Sequence, residues 1–206
     1  MILKNFMNKK IAIIGAGGHG KVIGEIALLN KYKAIDFFDD NIIGLDSKFP
    51  FPILGNCKVL VNNLKNYDDY FVAIGDNKIR YEKMNWLLKL KVSFVNLIHP
   101  RSTVSQYSTL STGICIMANA AVNPGASIGE GAIINTSASI DHDCLIEDYA
   151  KISPGCSLSG KVKVGKLTTI GTGSSVHPGI VIGSNVKIGV GSSIFKNITD
   201  NTVFKK

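Results

Sequence analysis

The sequence predicts an α/β domain built on a small parallel sheet, followed by a parallel β-helix. Three observations predict it. A glycine-rich turn separates an apolar run from a helical pattern near the start. Strand and helix patterns alternate as βαβαβ through the first hundred residues, and a six-residue repeat then runs without a break.

The elements follow in order. Lys9–Gly15 (KKIAIIG) reads as a strand, because a short, continuous apolar run fits a strand covered on both faces. Gly15-Ala16-Gly17-Gly18-His19-Gly20 forms the turn, and KVIGEIALLN places Val22, Ile23, Ile26 and Leu29 on one helical face. A second strand, AIDFF, runs into Asp39-Asp40, and a third, YFVAIG, ends at Gly75. Ile79–Lys91 reads as a helix and VSFVNLI as the last strand before the repeat. Gly15-x-Gly17-x-x-Gly20 matches the dinucleotide fingerprint, with Asp39 or Asp40 at about the right distance for a ribose contact. Glycines there let a phosphate approach the N–H groups at a helix N-terminus, and His19 could touch a phosphate or a base. The alternative is that they only permit a tight turn. About 95 residues make one mononucleotide half of a Rossmann-like fold, so a mononucleotide or a sugar nucleotide is expected rather than a dinucleotide.

The repeat starts at Ile98. Stepping by six gives seventeen positions to Ile194, and each is Ile, Val or Leu. Two residues before the aliphatic the side chain is usually small, as at Ala126, Ala132, Ala138, Cys144 and Ala150. One residue after it glycine recurs, as at Gly129, Gly165, Gly171 and Gly183. Neither a helix nor a hairpin has this period. A parallel β-helix does, with one hexad per face and 18 residues per coil, the aliphatic inward, the small residue at the corner and the glycine relieving the turn. The expected division is 1–97 for the sheet domain and 98–206 for the prism.

Composition narrows the function. The net charge of +8 is spread thinly, with 14 Lys/Arg against 9 Asp/Glu in residues 1–100 and 9 against 6 in 101–206. No basic run with interleaved aromatics stands out, so nucleic-acid binding is not expected, whereas an anionic small ligand is. Cys57, Cys115, Cys144 and Cys156 form no C-x-x-C pair, and no local metal-ligand cluster is seen. With no leader pattern and no apolar run of spanning length, a reduced cytoplasmic protein that does not insert into membranes is expected.

Of the four histidines, His142 stands out: it follows the inward Ile140 by two positions and is flanked by Asp141 and Asp143. His99 and His177 each precede proline, His99 at the domain junction and His177 at a solvent-facing corner. An amine or hydroxyl that attacks a thioester must lose a proton, and neutral imidazole is the natural base near neutral pH. A carboxylate on its second nitrogen fixes the tautomer; the residues alone leave Asp141 and Asp143 both open. Eighteen residues on from His142 lies Gly160, about one strand spacing (~5 Å) away along the prism, whose N–H is expected to donate to the oxyanion.

The hexad run, together with GAGGHGKV, FFDD, VAIGDNKIR, NLIHP and NTSASIDHDC, resembles the sugar O-acyltransferases of the sialic acid O-acetyltransferase type, over nearly the whole chain. Members build left-handed prisms and generally form trimers, with the active site between adjacent prisms and an acyl-CoA along the groove. The family includes N-acetyltransferases acting on UDP-, dTDP- or GDP-linked amino-deoxysugars, and the UDP-4-amino-sugar branch is the one most resembled. The resemblance implies acetyl-CoA as donor, a nucleotide-sugar acceptor, a homotrimer and no metal. It implies His142 as base, Asp143 as its partner and Asn135 as a contact to the acceptor sugar. It also implies Lys151, Thr172 and Val190 along the CoA, and Gly17, Gly18, His19, Asp39, Asp40 and Gly75 around the nucleotide. Lys151 and Thr172 are 21 residues apart and Thr172 and Val190 are 18 apart, which suits a ligand lying along the prism axis. Two features depart from the pattern: the chain ends NTVFKK where a Gly-x-Pro-Ala-Lys element is common, and Lys151 stands where the bacillosamine branch has a histidine. Sugar O-acetylation and a non-catalytic sugar-nucleotide scaffold are the competing readings. Hexapeptide proteins of the carbonic anhydrase type are disfavoured for want of three histidine ligands.

Overall fold

The structure is a computed structural model that describes residues 8–41 and 48–205. The chain divides into two compact units, one ending at Pro100 and the other beginning at Arg101.

In the first unit β1 (Lys10–Ile14), β2 (Ala34–Phe38), β3 (Ile53–Gly55) and β4 (Asp69–Val72) form a parallel sheet in the order β3-β2-β1-β4. Ile11 to Ile14 are all buried, as expected of a central parallel strand covered on both faces. Helix α1 (Gly18–Leu29) follows the glycine turn, and its buried residues are Gly20, Ile23, Gly24, Ile26 and Ala27. Val22 and Leu29, expected on that face, are exposed. The inner face is shifted because α1 packs through glycine: a side chain at Gly24 would strike the ring of Phe51. Helix α3 spans Asn77–Lys89, two residues earlier than expected, because Asp76 caps it by accepting from Ile79 N–H at 3.0 Å.

Strand β4 stops at Val72, so Ala73–Gly75 are loop rather than strand. The last expected strand is reduced to a Phe94–Tyr70 bridge and Leu97–Ile98. Strand β3 and helix α2 (Cys57–Asn62) were not anticipated. The signal for α2 was Asn56, whose side chain caps it by accepting from Lys58 and Val59 N–H.

The second unit is a prism of three stacks of two-residue parallel strands, each ending on the expected aliphatic from Val104 to Ile194. Register is 18 residues throughout this run, as in Ile128↔Ile146, Ile146↔Val164 and Val164↔Ile182. The aliphatics from Ile116 to Ile194 are buried, and the small residues Ala126, Ala132, Ala138, Cys144 and Ala150 are closed into the corners. The role expected of the recurrent glycines needs correction. Positive φ falls three residues after the aliphatic, at Asp143, for example, with φ +58°. The glycine one residue after it serves coil stacking instead: a Cβ on Gly165 would sit 2.5 Å from the carbonyl carbon of Gly183. The final coil is also two residues short, with Ile182 bridging Ile198 and Lys187 pairing Val203, so Val203–Phe204 supplies the last strand of the stack.

Candidate active site

The corner after strand Ser139–Ile140 holds Asp141, His142 and Asp143. Asp143 takes the left-handed conformation that Asp tolerates. From there its Oδ2 reaches His142 Nδ1 at 2.9 Å, in a pair that is more than half exposed (55% and 57%) and so reachable by substrate. Asp141 does something else. Its Oδ1 accepts from Asn123 Nδ2 at 3.0 Å, one coil back, and from the N–H of His142 itself at 2.7 Å. Asn123 first, then the His142 and Gly160 amides, hold its carboxyl below the usual range. Of the two flanking acids, Asp143 is therefore the partner of the imidazole and Asp141 binds the backbone that carries it.

Gly160 lies against the imidazole, and a Cβ there would stand 2.5 Å from Nε2 and 2.6 Å from Cε1. Sequence reasoning missed Asn123 and Gly125. Asn123 stands one 18-residue coil before Asp141, which was the available signal; Gly125 (φ +75°) abuts Asp143, where a side chain would collide with its carboxylate.

The other expected prism residues are elsewhere. Asn135 accepts from Thr136 N–H at 2.8 Å, on the corner preceding that of His142. Thr172 and Val190 stack one coil apart on that same preceding corner, both exposed, with Gly191 N–H bonded to Thr172 O. Lys151 is on the flat face leading to it, in register with Ile133 and Thr169 and not with Thr172, so the 21-residue spacing is not one coil along a single column. His177 is exposed at its corner, 4.5 Å from the ring of Phe195.

In the sheet unit, Gly17 caps α1 and, like Gly18, has open space where a side chain would project. Gly20 and Gly15 are different: a Cβ on Gly20 would strike Gly15 O, and one on Gly15 would lie 2.8 Å from Ala73 O. His19 is half-buried in the first turn of α1. Asp39 closes the turn, its Oδ2 accepting from Ala16 N–H and its Oδ1 from Asn41 N–H, both at 2.8 Å. Asp40 faces a separate cleft with Cys57, Lys83 and Trp86. There it accepts from Cys57 N–H at 2.9 Å and pairs with Lys83 at 2.5 Å, and Lys83 above all holds its carboxyl below the usual range. Burial pushes the Cys57 thiol up to about 11.

Among the described residues no group of three or more His, Cys, Asp and Glu could hold a metal ion, and no helix is long and apolar enough to cross a membrane.

Residues 10–87 match the model of the PglD N-terminal domain. The chain is 39% identical to the acetyltransferase domain of PglB from Neisseria gonorrhoeae FA1090, solved in complex with acetyl coenzyme A. That match covers 96% of this chain and 97% of the other, with a TM-score of 0.89. The chain belongs to the hexapeptide-repeat sugar acetyltransferases. PerB from Caulobacter crescentus, solved with CoA and GDP-perosamine, is a further structural relative in this family, at 34% identity over 93% of this chain and 91% of that one (TM-score 0.85). UDP-N-acetylbacillosamine N-acetyltransferase of Bacillus subtilis (strain 168) is 36% identical over 113 residues, and that alignment spans about half (52%) of the relative's length. The expected family and the expected fold are thus both met. As a member of the sugar acetyltransferases, the chain carries its histidine–carboxylate pair on an exposed corner of the prism.

Proposed function

We propose that this chain transfers acetyl from acetyl-CoA to the amine of a nucleotide-linked amino-deoxysugar, with His142 as general base. The observation that carries the reading is the His142–Asp143 pair. With Nδ1 bonded to the carboxylate, Nε2 is the nitrogen available to take a proton. As the amine attacks the thioester carbonyl, Nε2 receives its proton. Asp143 stabilises the imidazolium, which returns the proton to the departing CoA thiolate. Asn135 is proposed as the contact to the acceptor sugar.

The nucleotide is assigned to the carboxyl edge of the sheet, by Gly17, Gly18, His19, Asp39, Asp40 and Gly75, and the donor to the prism, by Lys151, Thr172 and Val190. Thr172 and Val190 leave an exposed edge free along the axis, and Lys151 offers a cation beside it, which suits a long anionic donor. In one prism that edge and the His142 corner are different corners. Packing a second prism beside the first lets one copy's edge face the other's His142, which supports a homotrimer with shared sites. A cytoplasmic location is part of the proposal, supported by four cysteines that are all buried and none of them in a disulfide.

The test is thiol release from acetyl-CoA with UDP-, dTDP- and GDP-linked amino sugars, and with sialic acid. Thiol release with the sialic acid alone would replace the N-acetyl reading by O-acetylation; none with any acceptor would remove the catalytic one. Gly18→Val tests the division of labour. The position is open, so the fold is kept while a phosphate is pushed away. The acceptor KM is expected to rise about tenfold or more and the acetyl-CoA KM to stay put, as for loss of uniform binding of one substrate.

Gly160→Ala tests the site itself. The new Cβ overlaps the imidazole, which is exposed and can swing aside, so the melting temperature should barely move. The ring then loses its place, and a misplacement of about 1 Å can cost ~10²-fold in kcat. Unchanged turnover in Gly160→Ala would mean the imidazole does not work from this position.

A further inference from the structure

We propose that Arg80 is a positioning residue for the acceptor nucleotide, holding one wall of the crevice in which that nucleotide sits. The proposal rests on the functional reading above and goes beyond it, since no nucleotide contact is assigned to this residue.

The sheet order β3-β2-β1-β4 puts the reversal of strand order between β1 and β4. In open parallel sheets ligands bind outside the carboxyl ends of the strands at such a point. The two loops that leave there are the glycine turn after β1 and residues 73–76 after β4. They touch: a side chain on Gly15 would meet Ala73 O at 2.8 Å and Ile74 Cγ1 at 3.0 Å. Whatever fixes the β4 loop therefore fixes the wall opposite the glycine turn.

Arg80 does this. It is 1% exposed and lies in the first turn of α3. Its side chain turns back towards the start of the helix, as helical side chains do. Nη1 donates to Ile74 O at 2.9 Å and, more weakly, to Gly75 O at 3.4 Å, while Nη2 donates to Asn77 Oδ1 at 2.9 Å. A buried cation at the positive end of a helix is unfavourable on both counts. Carbonyl oxygens offset that cost, and the two backbone acceptors, Ile74 O and Gly75 O, belong to the segment that walls the crevice, while Asn77 follows it at the start of α3. The planar fork is what matches them; an ammonium group does not.

The experiment uses the full chain as wild type, Arg80→Lys and Asn77→Ala. Calorimetry with UDP, dTDP and GDP gives nucleotide affinity, and the thiol-release assay gives both KM values and kcat. In Arg80→Lys, affinity for the nucleotide that wild type prefers and the acceptor KM should each worsen about tenfold, the scale of lost hydrogen bonds to a charged group. The acetyl-CoA KM and kcat should stay within about twofold, because only uniform binding of the acceptor is touched. Asn77→Ala should weaken nucleotide binding by about threefold, a single bond's share, and it alone decides if Arg80→Lys does not fold. A general loosening of the protein would move both substrates together. That result, or unchanged nucleotide affinity in a folded variant, overturns the proposal. A wild type that releases no thiol with any acceptor removes the functional reading while the calorimetry still decides Arg80; a wild type that binds none of the three nucleotides overturns both.

Discussion

His142→Ala is expected to lower kcat by about 10²–10⁴-fold, the range that general acid–base catalysis supplies. A sugar amine that attacks the thioester becomes positively charged, and the intermediate cannot go forward until that proton is taken. Nε2 is the nitrogen placed to take it, since Nδ1 is bonded to Asp143. The protein should stay folded, because the ring is more than half exposed and the inward residue of that hexad is Ile140. Asp143→Asn should cost less than His142→Ala, as it removes the orienting charge but leaves the base. His177→Ala removes only an exposed ring tilted against that of Phe195, and turnover should hardly change. Steady-state kinetics on the three variants, with circular dichroism to confirm folding, separates these outcomes. A His142→Ala enzyme with wild-type kcat, beside a dead His177→Ala, would move the transfer site about two coils along the prism.

The prism was legible because its period is rigid. Six residues per face and one inward aliphatic per hexad leave one solution, so seventeen Ile, Val and Leu positions carried the fold, and the 18-residue coil alone places Gly160 beside His142, where the structure has it. What the period does not encode was read less well. Whether Asp141 or Asp143 meets the imidazole depends on a left-handed residue at a corner, which no apolar pattern reports. The inner face of α1 was misread because Gly24 packs closely on Phe51, and hydrophobic periodicity does not count a glycine as a core residue. Arg80 was invisible as a buried group, since arginine is ordinarily a surface residue and its acceptors are carbonyl oxygens.

Ile152→Asp is expected to abolish the folded prism. Ile152 is fully buried, stacked between Ile134 in the coil before and Ile170 in the coil after, both also fully buried. Truncating such a side chain costs about 2–5 kcal/mol from lost transfer and the cavity left behind. A carboxyl in its place adds several kcal/mol more, because its neighbours in the stack, Ile134 and Ile170, are aliphatic and give it no hydrogen-bond partner. The sum is of the order of the ~5–15 kcal/mol that holds a whole domain together. The damage does not stay local, because a coil is stable only against its neighbours, and a broken interface takes two coils with it. Ile152→Val should instead cost about 0.5–1.5 kcal/mol and keep activity, since it shortens the side chain by one methylene. Val104→Asp is the internal control: that position is half-buried, and among the described residues its strand pairs only with Ala121–Val122, so it should be damaged less than Ile152→Asp. Thermal melts followed by circular dichroism rank the three. An Ile152→Asp protein that melts like wild type would mean the residue does not point into the prism, and the six-residue period would then have been assigned to the wrong face.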